Sequence, residues 1–192
     1  MDDGRLERLH QEDLCQALGV EEKYEAFGGP GVSAVIRLLR DTARTGLDAR
    51  ASVSRFLDGV VFSTVIAAPD AHARNDAVLL QQDRVHLAPL FDVATSLAHA
   101  REDRVLSMSV GGEHAVDRVG AAQWTSLADS AGLDPVDLLG RVEVAAAVLP
   151  AVSAALDEVD DGDGSVRAVR ERLLPALRQR VRRVEELLAA PR

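Results

Sequence analysis

The stretch that decides the fold is Ala68-Pro69-Asp70-Ala71-His72-Ala73-Arg74-Asn75-Asp76. It is the densest polar cluster in the chain, and it sits where a long apolar-periodic segment ends. Upstream, Val53, Phe56, Leu57, Val60, Val61 and Thr64 recur three and four residues apart. That period predicts a helix from about Ala49 to Ala67 with one buried face. Pro69 stops it, because the residue ahead of a proline disfavours helical backbone. Downstream, Ala77-Val78-Leu79-Leu80 and Arg84-Val85-His86-Leu87 are short β-type runs around Gln81-Gln82-Asp83, which predicts a hairpin. The loop Ala88-Pro89-Leu90-Phe91-Asp92 follows.

The spacing carries chemistry. Asp70 and Asn75 are five residues apart on a loop after a helix, and Asp92 comes after a two-stranded hairpin. A protein-kinase C-lobe uses this layout. One Asp orients the substrate hydroxyl and takes its proton, an Asn five residues on holds Mg²⁺, and a second Asp beyond a hairpin holds the metals that bridge the nucleotide phosphates. Oxygen ligands suit the task, because phosphoryl transfer concentrates negative charge. Mg²⁺ takes a few hard oxygens and leaves its other positions to phosphate and water. In this reading His72 orients Asp70 or a metal-bound water, and Arg74 offsets phosphate charge. Spacing alone leaves a plainer alternative open: a polar loop that ends a helix and connects two elements.

The rest of the chain predicts a mainly α fold around that small β insertion, in one domain. The 192 residues suffice for a real core. Helices are expected at Gln11 to Leu18, around Val32, Val35, Ile36 and Leu39, and from Gln123 to Ala131 with Trp124, Leu127 and Ala128 inward. A further helix starts at Asp134-Pro135 and runs towards Val159, with Pro150 as a kink or break. Asp160 to Gly164 reads as a solvated turn, and Ser165 caps a last helix to about Ala189. The segment Glu21 to Gly31 has too many breakers for a helix, and Leu106 to Val110 is an extended piece ended by Gly111-Gly112.

Composition excludes several classes. With 31 Asp plus Glu against 22 Lys plus Arg, the net charge is -9, which argues against a surface built for broad nucleic-acid contact. No apolar run approaches the roughly 20 residues of a membrane span. A single cysteine, Cys15, forbids an internal disulfide, and with no signal peptide a cytoplasmic setting is expected. Cys15 itself reads as a small buried apolar residue. His10, His86, His99 and His114 lack a zinc spacing. A calcium loop begun at Asp161 would place Val166 where glycine belongs and Arg172 where glutamate belongs, so that idea is dropped. Arg178 to Arg183 reads as a solvated basic helix face. Lys23 is the only Lys among the 22 basic residues.

Taken together, the motifs resemble the C-terminal lobe of HipA-family serine/threonine kinases, the toxin half of HipA–HipB modules. Asp70-Ala71-His72-Ala73-Arg74-Asn75 resembles the family's D-[AG]-H-x-K-N catalytic loop, and Leu87 to Asp92 its L-x-P-x-Y-D segment. Leu9 to Gly19 is similar to its H-Q-E-D-F-C-Q-A-L-G stretch. The run from Lys23-Tyr24-Glu25 to Gly28-Gly29-Pro30-Gly31 is similar to its K-Y-E-x-x-G-G-P-G insert, and Ser107 to Gly112 to its M-S-I-G-G segment. The motifs stand in family order over about residues 6–130, and a helical tail over about 134–190 is compatible. The resemblance implies Asp70 as catalytic base, Asn75 and Asp92 as Mg²⁺ ligands, and His72 and Arg74 as loop residues near the phosphates of ATP. Two departures stand out. Ala67-Ala68-Pro69 replaces the usual Gly-Asn ahead of the loop, and Phe91 replaces a Tyr.

A kinase also needs a phosphate-covering loop and an N-lobe strand Lys. Neither is found: Lys23 sits in the turn-rich insert, and no Gly-rich strand–loop–strand precedes it. The family's kinases are roughly twice this length. The chain, residues 1–192, is therefore expected to be a C-lobe without its N-lobe. It would work with an N-lobe partner chain, survive as a non-catalytic relic, or bind a HipB-like repressor or a full-length kinase.

Overall fold

The computed structural model describes residues 8–81, 83–99, 104–158 and 165–190. The expected turns at Gln82 and at Asp160 to Gly164 lie outside the described residues. The chain opens with strand β1 (His10–Asp13) and helix α1 (Leu14–Leu18). Here the expected single helix is corrected. Asp13 accepts a hydrogen bond from the Gln16 amide at 2.8 Å, and the Gln16 side chain accepts from the Asp13 amide at 3.0 Å. This capping box fixes the helix start at Leu14. The residues before it pair antiparallel with β2 (Ala77–Gln81), Asp13 opposite Ala77. Strand β3 (Arg84–Leu87) completes a three-stranded sheet in the order β1-β2-β3. The 21–31 segment holds one short 3-10 turn, Glu25–Phe27, and is otherwise irregular.

Helices α2 (Val32–Thr42) and α3 (Gly46–Val65) pack against each other. Thr45 caps α3 through the Asp48 amide, three residues ahead of the expected start. All six predicted inward positions of α3 are buried. The helix ends at Val65, four residues short of Pro69. Ala67 then takes a left-handed backbone with φ 53°, the conformation glycine adopts freely, at the start of the Ala67-Ala68-Pro69 departure. Strands β4 (Val105–Val110) and β5 (Glu113–Ala115) form a hairpin turned by Gly111-Gly112, both with positive φ.

Helix α4 (Ala121–Ala131) buries Trp124, Leu127 and Ala128 as expected. Helix α5 (Pro135–Glu158) runs unbroken through Pro150, so the expected break is absent. Its packing on α3, α4 and α6 (Ser165–Ala189) holds it across the missing hydrogen bond. The tail helices share the core of the rest: Leu138, Val142, Leu149, Leu177 and Val184 join the cluster that contains Leu14, Phe56 and Trp124. Among the described residues no helix is long and apolar enough to cross a membrane.

Candidate active site

The loop after α3 is held by hydrogen bonds to nearly every carbonyl in turn. Arg180 of α6, buried at 3 % exposure, donates to Thr64 O, Val65 O and Val116 O at 2.9, 3.1 and 3.3 Å. Thr95 Oγ1 donates to Ile66 O at 2.5 Å, and the Ser96 amide and hydroxyl both donate to Ala67 O. Ser107 of β4 donates to Pro69 O through its amide at 3.0 Å and its hydroxyl at 2.6 Å. The Asn75 side chain donates to Asp70 O at 2.8 Å. Helix α6, β4 and the segment after Asp92 thus all clamp one short loop.

The clamp sets what Asn75 offers. Its Nδ2 is spent on Asp70 O, so Oδ1 is an acceptor with no partner among the described residues. Asn75 is 9 % exposed and faces a pocket of ≈ 60 Å³. Asp70, Asp76, Asp92, Leu90 and Phe91 also wall it. Asp92 has φ 53°, left-handed, and its carboxylate has no partner among the described residues. The structure therefore brings three of the sequence-predicted residues, Asp70, Asn75 and Asp92, to one small pocket from two separate segments.

His72 and Arg74 stand beside that pocket rather than in its wall. His72 is buried, and its Nε2 accepts from Lys23 Nζ at 2.7 Å and lies 3.6 Å from Asp70 Oδ1. That bond places the ring proton on Nδ1, which is buried with no acceptor among the described residues. Arg74 turns away: its guanidinium donates to the Glu21 carbonyl and lies beside the Cys15 thiol. Burial pushes that thiol up, with Arg74 opposing.

Sequence reasoning missed three contributors. Tyr24 donates from its hydroxyl to Asp70 Oδ1 at 3.2 Å, and its ring stands edge-on to His72 at 5.5 Å. Lys23 lies 4.7 Å from the centre of the Tyr24 ring as well as on His72. The lone lysine is thus at this loop, on irregular backbone and not on a strand. The insert is folded tightly enough to deliver both residues because Gly29 lacks a side chain. A Cβ there would lie 2.8 Å from the backbone of Glu22, Lys23 and Tyr24. The third is Asp76, a half-buried pocket carboxyl whose pKa burial pushes up to about 6.

The donor set fits a hard divalent cation. The Asn75 amide oxygen and the Asp92 carboxylate are both unspent and both face the pocket. Among the described residues no group of three or more His, Cys, Asp or Glu is placed to hold a metal ion.

A mainly α domain with small antiparallel sheets, carrying an Asp–Asn loop and a second Asp at one pocket, has the form of a kinase C-lobe. A family model described as the HipA-like C-terminal domain matches residues 2–158. The chain belongs to that family. It is 35 % identical over 134 residues to "Putative kinase Y4mE" of Sinorhizobium fredii, covering 68 % of this chain and 31 % of that protein. The solved HipA, HipB and operator DNA complex of Shewanella oneidensis MR-1, a toxin–antitoxin system, matches with a TM-score of 0.81 at 21 % identity. That match covers 99 % of this chain and 48 % of the solved one. The chain thus spans about a third of the curated relative and about half of the structural one.

Proposed function

We propose that the chain is the catalytic lobe of a HipA-type serine/threonine protein kinase, which transfers the γ-phosphoryl group of Mg·ATP to a protein hydroxyl once an N-lobe partner grips the nucleotide. The observation that supports it most is the convergence of Asp70, Asn75 and Asp92 on one pocket, with Asn75 Oδ1 and the Asp92 carboxylate unspent. Asp70 takes the hydroxyl proton as the hydroxyl oxygen bonds to phosphorus and ADP leaves. Tyr24 holds Oδ1 of Asp70, which leaves Oδ2 for the incoming hydroxyl. Asn75 and Asp92 would hold Mg²⁺, which when bound neutralises charge on the phosphate oxygens. Lys23 holds the His72 ring beside Asp70, and Arg74 braces the loop on the insert. We assign His72 and Arg74 positioning roles, and the setting is cytoplasmic.

The exposed Leu90, Phe91 and Val93 at the pocket rim form an apolar surface suited to a docked lobe. The test supplies Mg·ATP and a protein substrate to the chain alone and to the chain with the N-terminal half of a HipA-type kinase. Phosphate incorporation is followed by mass spectrometry. Transfer only in the mixture, lost at least about 10³-fold in Asp70→Asn, is expected. Transfer that survives Asp70→Asn would overturn the assignment.

A second reading rests on α5, where Val136, Val144, Val148 and Val152 are exposed along the helix. In it the chain is a non-catalytic module that engages a HipB-like repressor. Co-elution with a purified HipB-like repressor, abolished by Val144→Glu with Val148→Glu, distinguishes the two.

A further inference from the structure

A second cleft, of ≈ 410 Å³, lies between α6 and the Val116–Arg118 turn. It shares no lining residue with the Asp70 pocket. We propose that this cleft is an anion site for a phosphate-type dianion, either inorganic phosphate or a phosphate monoester. Four arginines line it, Arg104, Arg180, Arg182 and Arg183, against two carboxylates, Asp117 and Glu186. A surplus of positive charge in one cleft is not the default for a chain of net charge -9.

The hydrogen bonds show which donors are left over. Arg180 is spent on three carbonyls and lies 3.5 Å from Asp117. Arg183 bonds Glu186 at 3.3 Å and Asp117 O at 3.1 Å. Arg104 donates to Leu97 O, but its buried Nε has no acceptor among the described residues. Arg182 has no partner among the described residues, and it is exposed enough to swing onto a ligand. A buried N–H with no acceptor costs free energy, and an anion oxygen would satisfy it. Burial pushes the Arg180 guanidinium down to about 10; Asp117 opposes, and Arg104 and Arg183 add smaller like-charge contributions. A dianion relieves all of these at once. The guanidinium forks suit phosphate oxygens in a way that chloride does not exploit.

The test titrates the 192-residue chain with sodium phosphate in one arm and O-phospho-L-serine in a second. Sodium chloride at matched ionic strength is the control, read by calorimetry and by melting temperature. Saturable binding above the chloride response is expected. Arg182→Ala should weaken it about tenfold or more, with the unliganded melting temperature unchanged. Glu186→Gln, which frees Arg183, should tighten it. Tighter binding of phosphoserine assigns the site to a monoester, and tighter binding of phosphate assigns it to the free anion. Responses equal to chloride in both arms, or binding that Arg182→Ala leaves intact, would overturn the proposal.

Discussion

At the scale of single residues, Asn75 donates through Nδ2 to the Asp70 carbonyl, and that bond decides what its other amide atom can do. The oxygen is left for a ligand. Its neighbour Asp76 has the opposite problem, a carboxyl whose burial favours the protonated form. The sign follows from linkage. The folded pKa, about 6, lies above the ordinary 3.8, so the folded chain binds the proton more tightly. The stabilisation is complete below about pH 4 and is lost as pH rises through about 6. Asp76→Asn should therefore raise stability by on the order of 1 kcal/mol at about pH 8 and change little at about pH 4, in chelator-treated protein. Denaturant titration at the two pH values measures it, and equal effects at both would remove the cause. The identities and spacing of Asp70, Asn75 and Asp92 were legible in the sequence. Tyr24 on Asp70 was not, because 46 residues separate the partners and no local pattern encodes such a contact.

At the scale of elements, the long helix α3 and the β2–β3 hairpin were legible from their periods. Strand β1 was hidden, because its partner β2 lies far along the chain and its own residues continue into a helical run. The cue was local after all: Asp13 and Gln16 have the spacing of a capping box. Arg180 was also missed, since a charged residue on a basic helix face reads as solvated. Buried, it caps the last carbonyls of α3 just ahead of the Asp70 loop. Arg180→Ala removes three hydrogen bonds and leaves buried carbonyls unpaired. It should cost roughly 3–5 kcal/mol. Arg182→Ala, two residues on and exposed, should stay within about 0.5 kcal/mol. Chemical denaturation of the pair checks the contrast.

At the scale of the whole molecule, one core joins the loop-bearing elements to α5 and α6, so the site is clamped from behind and open in front. The open side carries exposed Leu90 and Val93. Leu90→Ser with Val93→Ser should change stability by less than about 1 kcal/mol. The same pair should weaken association with the N-terminal half of a HipA-type kinase by about tenfold or more. Calorimetry and light scattering read both quantities, and unchanged association would place the docking face elsewhere. The sequence puts its single lysine in a turn-rich insert, and the structure adds what that lysine touches: it lies against His72, on irregular backbone.

We propose that Asn75 and Asp92 present a divalent-cation site beside Asp70. Mn²⁺ titration of the labelled chain, followed by paramagnetic broadening in NMR spectra, tests it most directly. Signals of Asn75, Asp92 and Asp70 should broaden first, Mg²⁺ should restore them, and Asp92→Asn should abolish the effect without shifting the remaining spectrum. Broadening centred elsewhere, or undiminished in Asp92→Asn, would contradict the account.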